Sequence, residues 1–510
     1  MDSNNVPPHG GNGKDTMEMK KGFFRPASFL FALLFLLTSV LACAEKPEPV
    51  GSDDTLPSST EETEELVHAD LPEMDMEGYT FSIYHWALSG NSALYNDFYS
   101  EELDGDPIND AVYERNMRLQ EQYDFEIDYA EDEYNIIRSN VTAVNRSNDD
   151  VYDLVLVRLA DVSTNVLEGD FLDFYSDIPY VNFDKPYWDQ DLCREMSFLD
   201  HLYLADSALS NEDVQETLSI LFNKTMARDR NFPDFYEAVR HKEWTIDRLY
   251  EIVTGWEGDL NGDGNMSVND DEYAMISGDF AIMSLFNGCG GTFATKDDDG
   301  YPEFTFPTEE NYEITELIRD IMTHTNYANC DTSKESFDRV AMFGNNRSLF
   351  FSYSVKSIVA LRGEEGIDFG ILPTPLYDET QDHYSSYISK HGMGMFSVLR
   401  PEQDVDKIGF LLEALSAGSY YDLKKAYYDI TLKTKMSRDD ESQEMLDLIF
   451  EHRRIDWADV YDFSLFVSAY LRQLSRTPEK SIITIYASYE NQIEQKMEEF
   501  YSTVERLDAE

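Results

Sequence analysis

Oxygen-bearing side chains stand at Asp259, Asn261 and Asp263, followed by Gly264 and Asn265, with Asp270 closing the run. The pattern reads D-x-N-x-D-G-x-x-x-x-x-D. Carboxylate and amide oxygens at positions 1, 3 and 5, glycine at 6 for the sharp turn and a backbone carbonyl at 7 make a calcium loop. Calcium is therefore the expected cofactor, in a structural role, held by Asp259, Asn261, Asp263, Asn265 and Asp270. The usual closing residue is a Glu that grips the ion with both oxygens. Asp270 is shorter, so Asp271 or Glu272 is an alternative closure. An acidic surface turn uses the same residue types, but the Asn-x-Asp-Gly placement is specific. Lys296-Asp297-Asp298-Asp299-Gly300 lacks the later ligands and reads as a polar hairpin turn.

The second residue with a chemical reading is Cys43. Phe29 to Ala42 is apolar or small throughout and follows Lys20, Lys21 and Arg25. This run falls short of the ~20 apolar residues a comfortable membrane span needs. It fits the basic and apolar regions of a secretory signal. Val40-Leu41-Ala42-Cys43 resembles the lipobox of bacterial lipoproteins. That resemblance implies acylation of the Cys43 thiol, cleavage before it, and a location on the outer side of the cell membrane. Two acyl chains anchor stably where one does not. An ordinary signal peptide cleaved nearby is the alternative. Met17 or Met19 would begin a more usual signal segment.

With 100 acidic and 40 basic residues the net charge is −60. Nucleic-acid binding is excluded as an expectation, because it draws on Lys and Arg neutralising phosphates. At 42% apolar, the chain can build sizeable cores. Beyond Cys43 the cysteines are Cys193, Cys289 and Cys330, with no CxxC and no Cys/His metal spacing, and they read as buried free thiols. No nucleophile elbow, HExxH, P-loop or full GxGxxG occurs, so no catalytic residue is assigned and the chain is not expected to be an enzyme.

The elements that must position any site start after a Pro-, Ser-, Thr- and Glu-rich tether, residues 44–71. Tyr79 to Tyr84 alternates as a strand does, with His85 and Trp86 at its end. Asp106 can cap a helix that starts with Pro107 and runs to about Tyr123, with Ile108, Val112 and Leu119 on one face. Phe125 to Tyr129 is a second strand, and Val151 to Val157, almost continuously apolar, a third that ends at Arg158. Strand and helix alternating in this way give a doubly wound α/β unit, whose ligands bind beyond the carboxyl ends of the strands.

Several stretches, weak singly, coincide in order and spacing with one family. They are Asn109 to Asn116, Asp177 to Cys193, Tyr203 to Ser207, Phe222-Asn223-Lys224, Trp244-Thr245-Ile246-Asp247, Asp368 to Pro375 and Lys433 to Asp439. Across about 75–505 the chain resembles extracellular solute-binding lipoproteins of ABC importers, the sugar-binding type. Ala205 departs from the pattern, which has Gly there. The resemblance implies a type II periplasmic-binding-protein-like fold with a ligand cleft between two lobes. Lobe one is expected at 72–210 and 378–420, and lobe two, carrying the calcium-loop insertion, at 211–377 and 421–510. The expected function is capture of a small polar solute, a sugar or oligosaccharide, and its delivery to ABC permease subunits by a lipid-anchored monomer. A surface glycan-processing enzyme and a calcium-dependent scaffold or adhesin are the alternatives.

A sugar presents C–H faces and hydroxyl edges, so aromatic rings and polar ends are sought. Trp86 and Arg158 are chosen from their strand-end positions, and Trp188, Tyr353 and Tyr384 complete the expected ligand-binding set. The last helix, from about Tyr486, carries Ile493, Met497, Phe500, Val504 and Leu507 as an apolar stripe.

Overall fold

Both main sheets of the computed structural model, which describes residues 68–87, 96–361, 366–428, 439–462, 465–476 and 480–509, mix parallel and antiparallel pairs. Cys43, most of the tether and residues 433–438 lie outside the described residues. In chain order the strands are β1 Tyr79–Ala87, β2 Phe125–Glu133, β3 Leu154–Arg158, β4 Leu218–Asn223, β5 Tyr273–Ser277, β6 Ala294–Lys296 and β7 Pro302–Phe304. They continue with β8 Tyr327–Asn329, β9 Ser348–Ser354, β10 Phe369–Leu372, β11 Ser386–Tyr387, β12 Gly394–Ser397 and β13 Arg453–Arg454. One sheet has the order β12-β3-β1-β2 and the other β10-β4-β9-β5-β8. Two small pairs, parallel β11 with β13 and antiparallel β6 with β7, complete the set.

The first sheet forms as its sequence directs. Asp106 accepts from the backbone of Ile108 and Asn109, and Pro107–Tyr123 is a helix burying Ile108, Val112 and Leu119. β1 runs three residues beyond the alternating segment, taking His85 and Trp86 into the strand. β3 begins at Leu154, and Val151 stays 49% exposed. The second sheet is buried on both faces. Ile220, Phe222, Met275 and Phe350 enter the main core, while Leu221, Ile276, Phe351 and Ile371 enter a second cluster on the other side. Such two-sided burial calls for the near-continuous apolar strands seen here.

The chain passes from the first sheet to the second between β3 and β4 and returns between β10 and β12. The stripe Ile493, Met497, Phe500, Val504 and Leu507 is buried as expected. The expected second lobe included all of 421–510, and its last helix makes contacts on both sides of that boundary. In the helix Glu490–Ala509, Leu507 abuts Gly169 behind β3, Phe500 packs on Phe198 at 5.3 Å, and Tyr501 bonds to Pro302 in β7. The stripe residues Leu507 and Phe500 meet elements that follow β3, while Tyr501 reaches β7. Cys193, Cys289 and Cys330 are free. The 297–300 segment is the turn between β6 and β7. Among the described residues no helix is long and apolar enough to cross a membrane.

One close approach sets the position of the helix Val405–Tyr421. A Cβ on Gly409 would lie 1.8 Å from the backbone oxygen of Pro179, whereas one on Gly418 would first meet the tip of Leu119 at 3.2 Å. Gly409→Ala is expected to destabilise by about 1–3 kcal/mol, as overpacking does. Gly418→Ala should be near neutral. Paired urea melts would show it, and equal midpoints for the two variants would refute the argument.

Candidate functional site

Because β1, β2 and β3 are parallel, their carboxyl ends, Ala87, Glu133 and Arg158, share one edge. In the second sheet β5, β8 and β9 are parallel too, and Ser277, Asn329 and Ser354 end together. The short helix Glu212–Glu216, on the crossing from sheet to sheet, joins these edges. On the first, Glu212 Oε1 lies 3.0 Å from His85 Nε2, and its Oε2 accepts from Trp86 Nε1 at 3.3 Å and from the Gly394 amide at 2.7 Å. On the second, Glu216 pairs with Lys356, which follows β9, and the Lys356 amide donates to the Gln215 carbonyl at 3.1 Å. Burial pulls the Lys356 ammonium down, but Glu216 more than offsets this and holds it above its ordinary range. Burial also pushes the Glu216 carboxyl up against the pull of Lys356.

Aromatic rings stand at both edges. Tyr129 in β2 reaches His85 Nδ1 at 3.4 Å, and Tyr99, 39% exposed, stacks on it with ring centroids 6.3 Å apart. Across the crossing helix, Tyr353 lies 5.2 Å from Phe280, and the Arg339 guanidinium sits 4.1 Å from the Tyr353 ring and 5.0 Å from that of Phe280. The arrangement offers flat apolar faces beside carboxylates and cations, which is what binding a polyhydroxylated molecule requires.

Three of the five residues picked from the sequence belong to these edges. Trp86 is 4% exposed, and its indole braces Glu212 rather than presenting a face. Arg158 lies 3.7 Å over the Tyr134 ring, with Nε donating to Asp161 Oδ2 at 2.6 Å. Tyr353 stands at the end of β9, half-buried. Trp188 and Tyr384 do not join them. Trp188 is buried with Nε1 donating to Glu413 at 2.9 Å, and Tyr384 is buried with its hydroxyl on the Val239 carbonyl at 3.1 Å. Both pack the interior. Glu212, Lys356, Phe280, Arg339 and Tyr129 were not among the residues chosen. Only Tyr129, ending its alternating strand, carried a sequence signal.

No protein-family model matches the chain, and no curated protein matches it. Solved structures do. UgpB from Mycobacterium tuberculosis, in complex with glycerophosphocholine, superimposes with a TM-score of 0.54 at 16% identity, covering 76% of this chain and 95% of that one. The fold is that of the ABC solute-binding proteins. A cyclo/maltodextrin-binding protein complexed with maltotetraose gives 0.54 at 11% identity, over 84% and 98% of the two chains. An ABC substrate-binding protein from Listeria monocytogenes in complex with cycloalternan gives 0.51 at 13% identity, over 82% and 99%. The mixed α/β architecture expected from the sequence is thus present, with two main sheets.

A network of buried charge lies beside the crossing helix. Arg453 in β13 directs one nitrogen to Asp213 on the crossing helix and another to Asp189 Oδ2 at 2.8 Å. Asp206 completes a trio whose carboxylate oxygens lie within 4.8 Å of one another. Burial pushes the Asp206 carboxyl well above its ordinary range, and one oxygen each of Asp206 and Asp213 has no hydrogen-bond partner. The spacing would suit a hard cation, but the Arg453 fork is already the counter-charge.

In the 259–271 loop the acidic and amide side chains accept hydrogen bonds from the loop's own backbone amides. Asp259 accepts from the amides of Gly262 and Gly264 at 2.7 and 2.8 Å, and both glycines have positive φ, 72° and 79°. Asn261 and Asp263 accept from the amides of Asp263 and Asn265. The buried carboxylate that closes the loop is Asp271, accepting from Leu260 and Ser267 at 3.0 and 2.8 Å, whereas Asp270 is exposed. An all-oxygen donor set of Asp259, Asn261, Asp263 and Asp271 fits calcium in kind. Among the described residues the loop carboxylates do not gather three to a point, so amide and backbone oxygens would have to contribute.

Proposed function

We propose that the chain is the solute receptor of an ABC importer, held outside the cytoplasm by a lipidated Cys43 and taking a sugar or oligosaccharide between its two carboxyl edges. The reading is supported chiefly by the meeting of those edges at Glu212–Glu216, lined by Tyr129, Tyr353 and Phe280, in a fold shared with proteins solved with cycloalternan and maltotetraose. Closure of the lobes follows if the solute binds the closed form more tightly than the open one. Delivery to permease subunits would then depend on the closed form. Calcium at 259–271 would brace the second lobe by mass action, and its removal by a chelator should lower the melting temperature.

Calorimetry against a panel of oligosaccharides is the direct test. One solute should bind in one-to-one ratio without turnover, and Tyr353→Ala should weaken it at least about tenfold, as loss of a central aromatic contact does. Release of cleaved products, or full affinity in Tyr353→Ala, would defeat the proposal.

A further inference from the structure

The two edges carry carboxylates in excess: Glu131 and Glu133 at the end of β2, Asp161 after β3, Glu212 and Glu216 on the crossing helix, Asp279 after β5 and Asp331 after β8. Among the described residues the cations Arg158, Lys356 and Arg339 stand with them, and the first two are each paired with a carboxylate. Arg158 has its Nε and a second guanidinium nitrogen on Asp161 Oδ2, both at 2.6 Å, with its side chain only 13% exposed. Lys356 is held by Glu216, with Glu212 as a second nearby charge. Arg339 is covered by the rings of Tyr353 and Phe280, donates to Cys330 Sγ at 3.2 Å, and shares the space beside Gly278 with the Asp331 carboxylate. A carboxylate, sulfate or phosphate seeking Arg158 or Lys356 would have to displace an existing partner and would face the like charge of the neighbouring carboxylates. A hydroxyl would not, since it can donate to any of these carboxylates.

We infer that the site selects a solute without negative charge, and that Asp161 and Glu216 contribute to this by occupying Arg158 and Lys356. The inference rests on the solute-receptor reading and adds the charge class of the solute. It also makes Asp161 a specificity residue that touches the site through Arg158.

The test is calorimetry with a matched pair: the neutral oligosaccharide that binds most tightly and its derivative with one primary alcohol oxidised to a carboxylate. The acid should bind on the order of 100-fold more weakly in dilute buffer, and the gap should narrow in high salt. Asp161→Asn, in the half-exposed first turn of the helix Leu159–Glu168, frees the Arg158 fork and should shrink the ratio by about tenfold. Equal or tighter binding of the acid by the unmodified protein, or an unchanged ratio in Asp161→Asn, overturns the inference and leaves the receptor reading intact. Failure of both sugars and acids to bind overturns the receptor reading and this inference with it.

Discussion

Replacing Arg453 with methionine is expected to cost about 3–5 kcal/mol of folding stability, the range for stripping one partner from a buried charge network. Arg453 bonds to Asp213 and Asp189 with side-chain exposures of 10%, 5% and 15%, and Asp206 adds a third carboxyl within reach. Without the guanidinium two buried carboxylates lose their counter-charge, and each must be protonated or drawn to water. Arg453→Lys should recover only part of the loss, because an ammonium cannot address Asp189 and Asp213 with a planar fork. Adding Asp213→Asn to Arg453→Met should recover more than additivity allows, since it removes one stranded charge. Denaturant midpoints at constant slope would measure these three and Asp213→Asn alone. A midpoint for Arg453→Met close to that of the unmodified protein would show that the network is not what holds the crossing segments together.

The second large effect is an inverted response to acid. Burial pushes Asp97 and Asp153 up to about 6 and Asp456 up to about 7, in each case outweighing the hydrogen bonds that pull the other way. A carboxyl with a raised folded-state pKa holds its proton in the folded chain at pH values where the unfolded chain has released it. Folded protein therefore binds more protons than unfolded between about pH 4 and 7, and stability falls as pH rises through that window. Asp378 and Glu444 are shifted down by their hydrogen-bond partners, but they are exposed, and what they add is lost only below the ordinary carboxylate range. Self-repulsion at a net charge of −60 acts in the same direction, easing as acid is added. The melting temperature should accordingly be several degrees higher near pH 5 than near pH 7.5. Asp456→Asn should flatten part of the slope. A melting temperature that falls steadily from pH 7.5 to 5 would contradict the sign.

What the sequence could tell follows from how far each signal reaches along the chain. The helix cap at Asp106, the alternating β1 and the glycine-turned loop at 259–264 are local patterns, and each appears where it was read. The stripe on the last helix was equally legible, but the surface receiving it was not, since Gly169 and Phe198 lie some three hundred residues earlier. The site residues depend on contacts of that kind. Glu212 meets His85 across 127 positions, and Lys356 meets Glu216 across 140. Nothing near Lys356 in the sequence marks it as the other half of a crossing. Trp188 shows the converse: an indole beside a distinctive motif looks like a binding face until Glu413, 225 positions on, supplies the acceptor that lets it be buried.

The five tryptophans are unevenly placed, and this has an experimental use. Trp188, Trp244, Trp256 and Trp457 are packed in interiors, with Trp244 and Trp256 donating to the carbonyls of Pro373 and Glu272. Trp86 alone touches Glu212, where the chain first steps from one edge to the other. Its ultraviolet emission therefore serves as a native gauge of that junction. If the proposed solute binds, a wavelength or intensity change abolished by Trp86→Phe would report on that junction without any attached dye.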